Sequence, residues 1–341
     1  MNVQSSPETL KPNDYASDQE VRWCPGCGDY AIVKAVQRAL SNMGADPKNT
    51  VFVSGIGCAA RFPYYMATYG FHTIHGRAPA VASGVKLANP DLDVWVIGGD
   101  GDMLSIGGNH TLHVLRRNID VQVLLFNNEI YGLTKGQYSP TSKLGTRSPS
   151  TPAGSVDAPV SACVYALGCN ARFVARSVDT NLKVLPGLMQ EAKENTGASF
   201  VEILQNCIVY NDGVYSSFTD KANAADGQIM CEHGKPLLFG KENQKGLRMT
   251  SGKMELEVVT IGEDDVTEGE ILIHDETNRP LALMLAAMQP PNFPVAMGVI
   301  FRDPDQAYDT AVHNQIAAAT EKSPAIPINE LMHKGKTWTV V

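Results

Sequence analysis

What the 341-residue chain lacks removes several large classes at once. It has no basic run and no interleaving of aromatic with basic residues. With 36 acidic against 28 basic side chains, a net charge of −8 and only 7% aromatics, it carries no footprint for a nucleic-acid backbone. No eighteen apolar residues run together, and the amino-terminal MNVQSSPETLKPNDY is polar, without the apolar centre of a leader. The expectation is a cytoplasmic protein with no membrane and no nucleic acid as partner. No internal repeat or low-complexity segment is present. Seven cysteines in a chain that is 43% hydrophobic do not read as a disulfide framework, because a core of this size needs no staples.

What is there is a rhythm. From about residue 29 to 205, apolar strand-like runs alternate with helix-period segments. Ala31, Ile32, Ala35, Val36 and Leu40 follow helical spacing, and TVFVSG reads as a buried strand. The pattern repeats through LDVWVIG, VQVLLF, ARFVA and SFVEIL with helices between them. Continuous apolar strands separated by helices predict an α/β fold, a mostly parallel sheet with helices on both faces. Ligands of such sheets bind beyond the carboxyl ends of the strands, where GGDGD and FNNEIYG fall. The Ser-, Thr-, Pro- and Gly-rich stretch 137–159 is too long for an ordinary connection and reads as functional or mobile. Past about residue 211 the rhythm fades. Residues 1–220 are therefore expected to form the ligand-binding domain, and 221–341 a loop-rich carboxy-terminal extension packed on it or on a partner.

The stretch VIGGDGDM (96–103) holds a contradiction. Gly98, Gly99 and Gly101 suit a loop that approaches phosphates, yet Asp100 and Asp102 place carboxylates where an anion would sit. One helix and one strand fill the interval from Gly101 to Asn127, so Asp100 and Asn128 are expected to top neighbouring strands. The Asp100 carboxylate, the Asn128 side-chain carbonyl and the backbone carbonyl of Ile130 make a hard oxygen half-shell. Mg²⁺ completes such a shell with phosphate and water oxygens. A bound cation removes the contradiction; the plain alternative is an ordinary GDG turn.

The cysteines are dispersed. Cys24 and Cys27 form a Cys-x₂-Cys pair in WCPGCG, Cys58 lies in a glycine-flanked loop after a strand, and Cys207 follows another strand. Four such thiolates suit zinc or a [4Fe–4S] cluster; a redox dithiol or inert buried thiols are the simpler readings of the pair alone. Cys163 and Cys169 read as small core residues, and Cys231 falls in the loop-rich tail. His72, His110 and His113 read as solvated or core residues.

Gly99-Asp100-Gly101 through Asn127-Asn128 resembles the binding motif of enzymes that depend on thiamine diphosphate. HGRAPAVASGVKLANPDLDVWVIGGDGDM and RRNIDVQVLLFNNEIYGLTKGQ are similar to the β subunits of 2-oxoacid:ferredoxin oxidoreductases, with the likeness covering about residues 20–220. The resemblance implies Mg²⁺ on Asp100, Asn128 and the Ile130 carbonyl, with Gly101, Asp102, Leu133 and Thr134 along the diphosphate. Gly57, His75, Gly76, Gly99 and Asn127 complete the expected cofactor-binding set. It also implies one [4Fe–4S] cluster on Cys24, Cys27, Cys58 and Cys207. The implied reaction is the reversible oxidative decarboxylation of a 2-oxoacid to acyl-CoA and CO₂, with electrons passing to ferredoxin.

No second α/β unit is present to carry the glutamate that activates the cofactor, so a partner α subunit, or a fused γ–α chain, is expected to supply it. No CxxCxxC module is present either, which limits the chain to one cluster. Lys135, in GLTKGQ, stands where pyruvate-specific relatives tend to carry glycine, and suits the distal carboxylate of 2-oxoglutarate; a plain surface lysine is the alternative. Arg61 suits coenzyme A, a substrate carboxylate or a carboxylate of the partner. Two competing readings remain: a non-redox decarboxylase β subunit, which leaves the four cysteines unexplained, and a non-catalytic zinc-binding assembly subunit.

Overall fold

A computed structural model describes residues 10–323 and 325–340; the first nine residues of the polar amino-terminal stretch lie outside the described residues. Strand parity explains the architecture. In β3 (Asp93–Gly99) Val94 and Val96 face one hydrophobic cluster while Trp95 and Ile97 face another; in β4 (Gln122–Asn127) Val123 and Leu125 take the first side, Leu124 and Phe126 the second. A sheet apolar on both faces must be covered on both. Here α1 (Asp29–Met43) and α5 (Leu185–Glu194) cover one face, and α2 (Ala78–Ala88), α3 (Gly108–Arg116), α4 (Ala162–Gly168) and α8 (Arg279–Ala287) the other.

The remaining strands of the main sheet are β1 (Thr50–Ser54), β2 (Tyr69–His72), β5 (Phe173–Val178), β6 (Ser199–Leu204), β7 (Gln228–Cys231) and β11 (Val295–Arg302). The order is β2-β1-β3-β4-β6-β5-β11-β7, parallel throughout except where β11 runs antiparallel to β5. The expected mostly parallel sheet is therefore present, and β3 and β4 are neighbours, so Asp100 and Asn128 leave adjacent strand ends.

The expected break at residue 220 does not coincide with a break in the sheet. Two single-turn helices, α6 (Ser216–Thr219) and α7 (Ala224–Gly227), lead into β7, and β7 and β11 complete the sheet. Cys231, expected in a loop, is the buried last residue of β7. A separate antiparallel sheet holds β8 (Leu238–Phe239), β9 (Lys245–Met249) and β10 (Leu256–Thr260). Only the end resembles an arm. α9 (Tyr308–Lys322) is anchored where Asp309 accepts the Asp120 N–H, whereas α10 (Ile328–Met332) exposes Ile328, Leu331 and Met332.

Candidate functional site: an oxygen-lined cleft beside a thiol pocket

At the carboxyl ends of β1, β3 and β4 lies a cleft of about 190 Å³ whose walls include Gly57, Cys58, His75, Gly99, Asp100, Gly101, Asp102, Asn128, Ile130, Leu133 and Thr134. The chain leaves β3 through a tight π-helical turn, Gly101–Ile106. Gly101 is required there, since a Cβ would stand 2.1 Å from the Tyr131 ring, and the Tyr131 hydroxyl donates to the Gly101 carbonyl at 3.1 Å. Tyr131 thereby pins the Asp100 turn to the Ile130 segment, bringing the proposed oxygen ligands to one place.

The two carboxylates do different work. Asp102 is buried, and its Oδ1 accepts the backbone N–H groups of Ile56 at 3.1 Å and Gly76 at 2.7 Å, and meets His75 Nδ1 at 2.5 Å. It ties three loops together, and two of its donors are backbone amides that would otherwise be free. The second oxygen, Oδ2, is buried without a hydrogen-bond partner. Because a carboxylate only accepts, His75 carries its proton on Nδ1, leaving Nε2 as the free ring nitrogen.

Asp100 behaves as a ligand would. Its Oδ2 accepts the hydroxyls of Ser139 at 2.5 Å and Thr141 at 2.6 Å. Burial pushes this carboxyl above its ordinary range against the pull of those hydroxyls, a state that an adjacent cation would reverse. Asn128 Oδ1 accepts only the Ile130 N–H, at 3.2 Å, and among the described residues the Ile130 carbonyl meets no donor. Each of the three expected ligands thus keeps an oxygen lone pair uncommitted.

Ser139 and Thr141 come from the long 137–159 segment, which is anchored rather than loose. Their role was hidden in a run of Ser and Thr whose partners lie about forty residues upstream. Asn127 departs from expectation. It is one residue out of phase with Asn128 and projects to the opposite face, where Nδ2 donates to Glu202 at 2.8 Å and Thr141 Oγ1 lies 2.9 Å from Oδ1. It reaches Asp100 only through Thr141. Glu202 in turn forms a buried 2.7 Å ion pair with Arg176, lining a separate cavity of about 160 Å³.

Next to the cleft is a pocket of about 180 Å³ into which Cys24, Cys27, Cys58 and Cys207 all open, with Trp23, Ile208 and Tyr210 among the apolar walls. Asn128, Cys58, Gly132 and Leu133 line both spaces. Gly26 allows the Cys-x₂-Cys turn, with φ at +84° and Ile208 2.9 Å from where a Cβ would stand. The Trp23 indole donates to the Cys58 carbonyl at 2.7 Å, fixing one thiol-bearing loop against another. Burial pushes the Cys58 thiol up to about 11 and raises that of Cys27 further. Among the described residues no three His, Cys, Asp or Glu side chains converge closely enough to hold a single metal ion. Lys135 and Arg61 line this thiol pocket rather than the oxygen-lined cleft. Lys135 also adopts φ +83°, a conformation uncommon outside glycine.

Residues 55–203 match the family described as thiamine pyrophosphate enzyme, C-terminal TPP binding domain. The chain is 46% identical over 343 residues to the 2-oxoglutarate oxidoreductase subunit KorB of Mycobacterium tuberculosis, covering 99% of this chain and 91% of that protein. It is 43% identical over 201 residues to the 2-oxoacid:ferredoxin oxidoreductase subunit beta of Saccharolobus solfataricus, covering 58% and 66% of the two chains. The chain belongs to the 2-oxoacid:ferredoxin oxidoreductase β-subunit family. A solved 2-oxoglutarate:ferredoxin oxidoreductase from Magnetococcus marinus, with 2-oxoglutarate, coenzyme A and succinyl-CoA bound, superposes with a TM-score of 0.77 at 32% identity over 97% of each chain.

As a β subunit of this family, the protein is part of an oxidoreductase that works as a complex, and it contains a thiamine pyrophosphate-binding domain. The cleft fits that cofactor with a divalent ion: three uncommitted oxygen donors of hard type stand together beyond adjacent strand ends, with backbone pinned close by Tyr131. The thiol pocket fits a polynuclear iron–sulfur group. It offers four thiols around a space, whereas a lone zinc draws its sulfurs to about 2.3 Å from one centre. Among the described residues no helix is long and apolar enough to cross a membrane.

Proposed function

We propose that this chain is the cofactor-binding β subunit of a cytoplasmic 2-oxoglutarate:ferredoxin oxidoreductase. It would convert 2-oxoglutarate and coenzyme A reversibly to succinyl-CoA and CO₂, with an α or fused γ–α partner completing the site. The observation that carries this reading is the shared wall: Asn128, Cys58, Gly132 and Leu133 border both the oxygen-lined cleft and the four-thiol pocket. A non-redox decarboxylase has no use for thiols at that wall.

Asp100, Asn128 and the Ile130 carbonyl would hold Mg²⁺, and Cys24, Cys27, Cys58 and Cys207 a [4Fe–4S] cluster. When bound, thiamine diphosphate supplies the electron sink for decarboxylation and the cluster a one-electron acceptor beside it. The chain's own contribution is positional. Ser139 and Thr141 fix the Asp100 carboxylate in rotation. Asp102 holds the Ile56 and Gly76 segments and aligns His75. His75 Nε2, as the one ring nitrogen not engaged by Asp102, is available to accept a hydrogen bond from a donor group in the cleft. Leu133 presents an apolar side chain to both spaces. Lys135 and Arg61 place positive charge at the thiol-pocket side of that wall, suited to the distal carboxylate of 2-oxoglutarate or to anionic groups of coenzyme A.

The test is anaerobic purification with the partner subunit, followed by iron, sulfide and thiamine diphosphate analysis and assay of 2-oxoglutarate-dependent ferredoxin reduction. About four irons per chain together with bound thiamine diphosphate is the expected result. Thiamine diphosphate without iron would move the chain to a non-redox decarboxylase, and zinc without thiamine diphosphate to an assembly subunit. Cys58→Ala in the same complex is expected to lose the iron and ferredoxin reduction while keeping thiamine diphosphate.

A further inference from the structure

One buried side chain lines the thiol pocket and hydrogen-bonds a residue of the wall that both spaces share. Gln205 follows β6 and is 1% exposed. By strand parity it shares a face with Val201 and Ile203, toward the start of α1, while Glu202 faces away. Its backbone N–H donates to the Asn127 carbonyl at 2.8 Å, fixing its height at the sheet end. Its side-chain amide is fully employed. Nε2 donates to Cys27 Sγ at 3.2 Å and to the Asn206 carbonyl at 2.6 Å, and Oε1 accepts Asn128 Nδ2 at 2.8 Å.

These contacts leave Gln205 no choice of orientation. A carbonyl can only accept, so the amide nitrogen must face Asn206, which sets it against Cys27 Sγ as well, and the oxygen must face Asn128. That oxygen in turn demands the Asn128 nitrogen, which turns Asn128 Oδ1 toward Ile130 and the cleft. An Asn128 amide turned the other way would offer N–H groups to a cation. At the other end, an N–H donated to a ligating sulfur favours the reduced, more negative state of an iron–sulfur cluster.

We propose that Gln205 is a positioning residue that serves both cofactors: it sets the Asn128 amide for the metal and raises the reduction potential of the cluster through Cys27. The inference rests on the proposed assignment of the metal and cluster sites. It goes beyond that assignment in making one side chain couple them.

The test uses the assembled complex, purified and reconstituted anaerobically. Iron and sulfide are measured first on the unsubstituted complex; their absence there would refute the cluster assignment itself, a failure distinct from that of the Gln205 role. Gln205→Glu keeps an acceptor for Asn128 and removes the donor to Cys27. It is expected to lower the cluster potential in an EPR-monitored titration, changing the oxidised-to-reduced ratio at a fixed poise by about threefold to tenfold, tenfold being 59 mV for one electron. Its Mg²⁺-dependent thiamine diphosphate affinity should stay within about twofold. Gln205→Leu is expected to lower the potential and to weaken that affinity by about tenfold, as loss of an outer-shell partner does.

Unchanged potentials in both variants, with the iron retained, would overturn the proposal; so would an affinity loss equal in the two. A measurement without substitution guards against variants that do not assemble. Complex made with side-chain ¹⁵N-labelled glutamine should show a weak nitrogen coupling to the reduced cluster in pulsed EPR, because Gln205 is the glutamine lining the thiol pocket. Absence of that coupling would equally overturn the role.

Discussion

The oxygen-lined cleft and the thiol pocket share a wall but are built on opposite principles. In the cleft the polar groups are already committed to one another: Asp102 ties three loops, and Asp100 is held in rotation by two hydroxyls. Little is left to rearrange when a ligand arrives. In the pocket the loops are fixed by backbone and by Trp23, while burial holds the Cys27 and Cys58 thiols above their ordinary range, so a metal bound there would displace their protons. The difference teaches that the first site is preorganised for a reversible ligand, while the second, as proposed, would be completed by an integral one.

Separate loss is the strongest consequence. Asp100→Asn keeps the shape and one accepting oxygen for Ser139 and Thr141 but removes the charge proposed to face the cation. It is expected to weaken Mg²⁺-dependent thiamine diphosphate binding by about a hundredfold or more, measured by calorimetry, with iron content unchanged. Parallel loss of iron would break the comparison, because it would make the two sites one folding unit.

The next effect tests what stiffens the cleft from behind. Arg176 and Glu202 are both buried, and Glu202 holds Asn127, which reaches Asp100 through Thr141. Arg176→Met leaves the Glu202 carboxylate buried without its partner, and should cost about 3–5 kcal/mol of stability, read as a fall in melting temperature. If a cluster-loaded complex melts at an unchanged temperature, the cleft does not depend on that ion pair. Smaller again is Gly101→Ala, where the new methyl meets the Tyr131 ring. Overpacking of this kind costs about 1–3 kcal/mol. The damage should appear as weaker thiamine diphosphate binding with the cluster potential unchanged, because Tyr131 lines the cleft and not the thiol pocket.

The same contrast governs what the sequence disclosed. The sheet was legible because continuous apolar runs and helical spacing are local signals, and the order β3 next to β4 followed from the length between Gly101 and Asn127. The four cysteines were legible as residue types. Ser139 and Thr141 were not, because a hydroxyl in a Ser/Thr-rich loop gives no sign of a partner about forty residues away. Asn127 was assigned to the cofactor although strand parity turns it to the Glu202 side. The strands beyond residue 220 were hidden for a related reason. β11 takes its place by pairing with β5 across more than a hundred residues and β7 by pairing with β11 across more than sixty, which no local pattern announces.

Lys135 stands on the border and supports the finest test. It was read as a substrate residue, and the structure places it with the thiols, two residues beyond the wall that both spaces share. Its φ of +83° is a conformation that an ordinary side chain holds at some energetic cost, and the adjacent Gly136 is also left-handed. A surface lysine of no consequence would be better replaced by glycine. Lys135→Gly should therefore relieve the backbone and raise stability slightly, while raising the KM for 2-oxoglutarate about tenfold, the value of one charge-assisted hydrogen bond. Lys135→Ala should raise the KM equally without the gain in stability, and neither should change the KM for pyruvate, which has no distal carboxylate. A KM ratio that does not move in either variant would place the substrate wholly on the cleft side of Leu133, and would leave Lys135 with the thiol pocket alone.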